Sequence, residues 1–101
     1  TVLTLLEDLG FCEKGEGGAW VAGGKLRFDR PAEGPALNTD GGGLSSNHPG
    51  MRGIFLLIES ARQLRDESNA QVENAKLAIA HGNEGMLGSR HTAGTIILGR
   101  D

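Results

Sequence analysis

The stretch NTDGGGLSSNHPGMRGIFLLIESARQLRDE, residues 38–67, runs from a loop straight into a helix. Positions 39–50 hold glycine, serine, asparagine and proline, which favour turns over regular structure. Directly after them Ile54, Phe55, Leu57, Ile58, Ala61 and Leu64 recur at intervals of three and four. That period predicts one apolar face of a helix over residues 51–67. The loop is thus tied to a rigid element, and Arg62, Arg65, Asp66 and Glu67 are expected on its solvated side.

Working outward, Val2, Leu3, Leu5, Leu6 and Leu9 have helical spacing. They predict the end of an amphipathic helix over residues 1–9, closed by Gly10 as a left-handed cap. Residues 13–24 read as a glycine-rich connection whose patch Ala19-Trp20-Val21 either pairs as a small strand or covers the core. Residues 26–35, with mixed charges, form a surface loop leading to a brief buried strand at Ala36-Leu37-Asn38. Beyond the main helix, a linker at 72–76 enters Leu77-Ala78-Ile79-Ala80, a short apolar run that suits a strand buried on both faces. Residues 81–90 read as a glycine-rich loop and Thr95-Ile96-Ile97-Leu98 as the last strand. The expectation is an α/β layered arrangement showing part of a sheet, whose exposed edge demands a partner.

The chain has 101 residues, 38% of them hydrophobic and 23% charged, with a formal net charge of −3. This composition fits one globular domain at most, and the lack of a basic stripe argues against nucleic acid as a partner. Its 17 glycines cluster between the predicted elements, as special backbone turns require. One cysteine, Cys12, excludes an internal disulfide framework and fits a reducing, cytoplasmic location. No apolar run is long enough to span a membrane. The first residue is Thr1 and the helical spacing is already under way there, so the sequence reads as part of a longer protein.

The chemistry centres on the loop. Glycines at 41–43 let backbone approach a ligand closely, and Pro49 fixes the chain direction just past His48. His48 is thereby expected near a helix N-terminus, where free N–H groups and the helix dipole favour an anionic neighbour such as a thiolate, an enolate or a phosphate. A neutral histidine beside a thiol can take its proton and activate it. The glycines at 15–24 match no dinucleotide fingerprint, and His48, His81 and His91 lack metal-ligand spacing, so no metal site is expected. Cys12 follows a helix stop in an apolar setting and reads as packing. His91 reads as part of a solvated turn.

The order Asn38, a glycine pair, His48-Pro49-Gly50 and an apolar helix ending Arg62-Gln63-Leu64-Arg65 resembles the C-terminal signature of thiolases. Leu6-Glu7-Asp8-Leu9-Gly10-Phe11-Cys12, Lys14-Gly15-Glu16-Gly17-Gly18 and Ala80-His81-Gly82-Asn83 resemble the lipid-transfer-protein, sterol-carrier-type branch, so the similarity covers most of the chain. The resemblance implies a thiolase-like layered fold of which this is a partial C-terminal half. It implies acyl-CoA acyltransfer, the cleavage or formation of 3-ketoacyl-CoA, with coenzyme A as substrate and no other cofactor. His48 would activate a cysteine in the absent N-terminal half, and Asn38 would orient His48 or a bound water. His81 would serve as acid/base or oxyanion-hole residue, with Asn38, Gly42, Gly43, Asn83 and Gly85 binding substrate. Two departures stand out: Asn47 replaces the usual glycine before the histidine, and the loop of His81 lacks the second cysteine of classical thiolases. The absence of tyrosine weighs against steroid side-chain retro-aldolases of this branch. The resemblance also implies a homo-oligomer, or association with the missing half-domain or a partner subunit. The alternative is a non-catalytic, thiolase-like subunit that binds lipid or acyl-CoA or acts as a scaffold.

Overall fold

A computed structural model describes residues 1–47, 50–86 and 90–101. The chain divides into two compact units, Thr1–Leu37 and Asn38–Asp101.

In the first unit, helix α1 spans Val2–Asp8. Gly10 ends it as expected, at φ 84°, with Gly10 N–H donating to Glu7 O and Phe11 N–H to Leu6 O. These two bonds form a Schellman cap, which satisfies carbonyls that the last helical turn leaves free. Residues 19–21 belong to a short helix, α2, at Gly17–Val21, and not to a strand. The Glu7 carboxylate accepts from the Gly17 N–H at 3.0 Å. A Cβ at position 17 would lie 2.8 Å from that oxygen and 3.1 Å from the Leu3 carbonyl, so glycine lets the two helices approach. Trp20 packs beside Phe11, with ring centroids 6.0 Å apart. The brief strand expected at 36–38 does not form: Leu37 is exposed, and Asn38 at φ 51° has a left-handed backbone that a strand cannot contain.

In the second unit a 3-10 turn at Gly43–Ser45 precedes helix α3, Arg52–Leu64, and strands β1, Leu77–Met86, and β2, Arg90–Gly99. The strands pair antiparallel, from Leu77↔Gly99 to Met86↔Arg90. Residues 81–86 and 90–94 were expected in a loop and at its edge, but both strands continue through them. Gly82 faces Gly94 across the ladder, so the small residues meet opposite one another and the pairing persists. The α/β class stands, with helix α3 packed mainly on β1.

The core of this unit is Leu64 and Ala80, each 7% exposed. Side chains alternate along a strand, so Ala80 marks the face of β1 turned to α3, while Leu77 and Ile79 lie exposed on the other. The expected burial of both strand faces is therefore absent here. The inward face of α3 also differs from the apolar stripe read in the sequence. Ser60 and Gln63 are buried beside Leu64, whereas Ile54 and Ile58 are 52% and 50% exposed. Polar residues can lie inward because their groups are satisfied: Ser60 Oγ donates to Leu56 O at 2.7 Å, and Gln63 makes the bonds described below.

Truncating Leu64 to alanine leaves a void against β1, and a loss of about 2–5 kcal/mol in unfolding free energy is expected from urea denaturation. A loss below about 0.5 kcal/mol, the range of ordinary surface substitutions, would contradict this core.

Candidate functional site

Residues 38–47 form a tight loop held by hydrogen bonds among its own backbone and side chains. Gly41 N–H donates to Asn38 O at 2.9 Å, Gly42 N–H to Asp40 Oδ1 at 3.0 Å, and Ser45 Oγ to Gly41 O at 2.9 Å. Gly41 has φ 95°, and a Cβ there would fall 2.3 Å from Ser45 Oγ. Only glycine fits that position without displacing the turn. Gly42, at φ 74°, is buried, with the Asn38 side chain 3.6–3.8 Å from where its Cβ would stand. The loop thus brings together Asn38, Gly42 and Gly43, three residues singled out from the sequence.

Two side chains of α3 strap this loop to the helix. Arg52, on the first turn, donates through both terminal nitrogens to the Asp40 carboxylate. The planar guanidinium matches a carboxylate in this two-point geometry. That bond holds the Asp40 carboxyl below its ordinary range, against desolvation, with help from the Gly42 N–H. Two turns further on, Glu59 Oε1 accepts from Thr39 Oγ1 at 2.6 Å, from Ser68 Oγ at 2.6 Å and from Gln63 Nε2 at 3.0 Å. Desolvation raises the Glu59 pKa, but the three donors outweigh it and the carboxyl is held low. Gln63 extends the strap: its Nε2 also donates to Ala70 O at 2.8 Å, and its Oε1 accepts from Val72 N–H at 2.9 Å. One carboxylate therefore joins the loop before α3, the helix itself and the segment after it. Sequence reasoning missed Glu59 and Gln63. The signal available was an acid and an amide four residues apart inside the predicted helix.

The other candidates lie on β1. Because the segment is a strand, His81, Asn83 and Gly85 fall on alternate positions and share one face, opposite Thr95, Ala93 and His91 on β2. His81 Nδ1 is hydrogen-bonded to its cross-strand partner Thr95 Oγ1 at 2.7 Å. Its Nε2 is shielded from solvent and has no hydrogen-bond partner among the described residues. Whichever partner donates to the other, Nδ1 is occupied and Nε2 is the nitrogen left to exchange a proton. His91, expected in a turn, sits within β2. His48 and Pro49 lie outside the described residues.

A cavity of about 230 Å³ opens beside the loop, bounded by Asp40, Ser46, Arg52, Phe55 and Glu59 among others. Ser46 Oγ is buried without a partner among the described residues. Cys12 belongs to the first unit, and its thiol pKa is raised by desolvation and by the neighbouring Glu7, Glu16 and Glu13. A thiol kept protonated is a poor nucleophile, in keeping with a packing role. Among the described residues no group of three or more His, Cys, Asp or Glu could hold a metal ion.

The straps carry an acid signature. Asp40 and Glu59 have folded pKa values below their ordinary 3.8 and 4.5. Their contribution to stability is complete above those ordinary values and is lost as pH falls through the lower folded ones. Urea midpoints measured down an acid series should drop below about pH 4.5, less steeply in Asp40→Asn than in the wild type. Equal steepness in the two proteins would contradict the Asp40–Arg52 strap.

Residues 1–100 match the family model described as thiolase C-terminal domain-like. An acetyl-CoA acetyltransferase of Methanothermobacter thermautotrophicus is 40% identical over 86 residues, covering 83% of this chain and 22% of that protein. An acetyl-CoA acetyltransferase of Methanocaldococcus jannaschii is 33% identical over 97 residues, covering 95% of this chain and 24% of that protein. Sterol carrier protein 2 of Rattus norvegicus is 39% identical over 89 residues, covering 86% and 16%. The chain thus spans a quarter or less of the length of each of these relatives. No solved structure matches the chain at a significant level. The match over nearly its whole length means that the chain belongs to the thiolase family, as a C-terminal domain-like member.

Proposed function

We propose that this chain is the C-terminal portion of an acyl-CoA acyltransferase that cleaves or forms 3-ketoacyl-CoA, and that its 38–50 loop and His81 face supply the acid–base groups. The observation that carries the reading is the imidazole of His81. One ring nitrogen is held by Thr95, and the other is withdrawn from water without a partner among the described residues, as a group reserved for a reacting atom would be. Two of the relatives are named acetyl-CoA acetyltransferases, which supports this reaction class.

In the cleavage direction, a cysteine supplied by the preceding part of the polypeptide gives its proton to His48. The resulting thiolate attacks the 3-keto carbon of 3-ketoacyl-CoA. The bond between that carbon and the α-carbon breaks, leaving the acyl group on sulfur. The electron pair left on the α-carbon of the departing acetyl-CoA takes a proton, and His81 Nε2 is the group for delivering it or for donating to the thioester oxygen. Coenzyme A then takes the acyl group from the cysteine, its thiol proton restoring His81 while the leaving sulfur regains its proton from His48. Asn38, Gly42 and Gly43 hold the substrate from the loop, and Asn83 and Gly85 from the strand. The exposed Leu77, Ile79 and Ile97 support association of this portion with the rest of the protein or a second subunit.

The similarity to a protein named sterol carrier protein 2 favours a second reading, a non-catalytic subunit that binds lipid or acyl-CoA. Thiolysis of acetoacetyl-CoA and of longer 3-ketoacyl-CoA by the complete protein separates the two. Turnover is expected, with kcat reduced about 10²- to 10⁴-fold in His48→Ala, the usual worth of a general base. An unchanged rate in that variant would refute the role of His48, and acyl-CoA binding without turnover would favour the carrier.

A further inference from the structure

We infer that Glu59 is a positioning residue for the substrate loop, acting through Thr39 on the Asn38 amide; this rests on the loop's role in the function proposed above. Asn38 sits at φ 51°, in the left-handed region that asparagine enters more readily than most residues. Two consecutive residues after it are tied to α3: Thr39 by its hydroxyl to Glu59, and Asp40 by its carboxylate to Arg52. Arg52 and Glu59 stand about 10 Å apart along the helix axis, at 1.5 Å of rise per residue. Bonds at two heights fix the direction of the loop as well as its distance from the helix. The Asn38 carbonyl is held in turn by the Gly41 N–H, and its side chain lies against Gly42. The direction of the Asn38 amide is therefore inherited from the Thr39 hydroxyl bond.

The position of Glu59 is itself over-determined. Its Oε1 also takes Ser68 Oγ and Gln63 Nε2, and Gln63 is 6% exposed with both ends of its amide engaged. A carboxylate anchored by two donors outside the loop resists swinging away when the loop is pulled. It transmits the placement of α3 to the loop, and no part of it needs to touch substrate.

The test uses the complete protein with Thr39→Val, which removes the hydroxyl at nearly constant shape, Thr39→Ser, which keeps it, and Glu59→Gln as a second break in the strap. Hydrogen exchange at the Gly41 and Gly42 amides should accelerate in Thr39→Val and Glu59→Gln and stay slow in Thr39→Ser. In thiolysis, Thr39→Val should lower kcat by roughly tenfold or more, as a misplaced positioning group does, with little change in KM. Thr39→Ser should restore most of that loss. Added to Asn38→Ala, Thr39→Val should cost almost nothing further, because both substitutions disable one group. Unchanged amide exchange in both strap variants, or additive losses in the double variant, would overturn the inference. Faster exchange in a protein whose wild type has no thiolysis would instead leave the strap standing and remove the proposed reaction.

Discussion

Three hydrogen bonds converging on one oxygen of Glu59 organise the second unit. Thr39 comes from the chain before α3, Gln63 from the helix, and Ser68 from the segment after it. A carboxylate even partly withdrawn from water carries a cost when alone. With three donors Glu59 is held below its ordinary range, so its partial burial is compensated locally. Because Gln63 also holds Ala70 and Val72, the path toward β1 is set from the same point on the helix. Loop, helix and the start of the hairpin thus share an anchor made of polar groups, in a unit whose buried apolar side chains, among the described residues, are only Leu64 and Ala80.

That arrangement explains how much of the fold could be read from the sequence. Gly10 was legible because a helix end needs a left-handed residue, and α3 was legible because its apolar period is strong. The turn at 38–45 was legible in outline, since Gly41 and Gly42 adopt the positive φ that glycine clusters imply. The inward face of α3 was not. Hydrophobic periodicity ranks Ile54 and Ile58 above Ser60 and Gln63, and it has no means of knowing that the polar pair finds partners in segments distant in sequence. The hairpin failed for a related reason. Glycine at 82 and 94 signals a loop in isolation, but the two fall opposite each other across the ladder, where each removes the need for the other's side chain.

The same contrast runs through the candidate site. Gly42 and Gly43 were expected in a loop and lie in one, joined by Asn38, which was expected to end a strand; His81, Asn83 and Gly85 were placed in a loop and instead share a strand face. The change matters chemically. A strand fixes a side chain more firmly than an irregular segment, and here the cross-strand hydroxyl of Thr95 fixes the ring of His81 as well. The residues that sequence reading overlooked, Glu59, Gln63, Thr39 and Thr95, hold other groups in place. Such residues carry no motif of their own, because their identity depends on which partner the fold brings within reach.

The most direct measurement of the central claim is a crystal structure of the complete protein with acyl-CoA bound. The account predicts the thioester oxygen, or a substituent of the reacting carbon, within about 3 Å of His81 Nε2, and the His48 ring beside the nucleophilic sulfur. A thioester bound elsewhere, with the His81 ring turned away from it, would contradict the account.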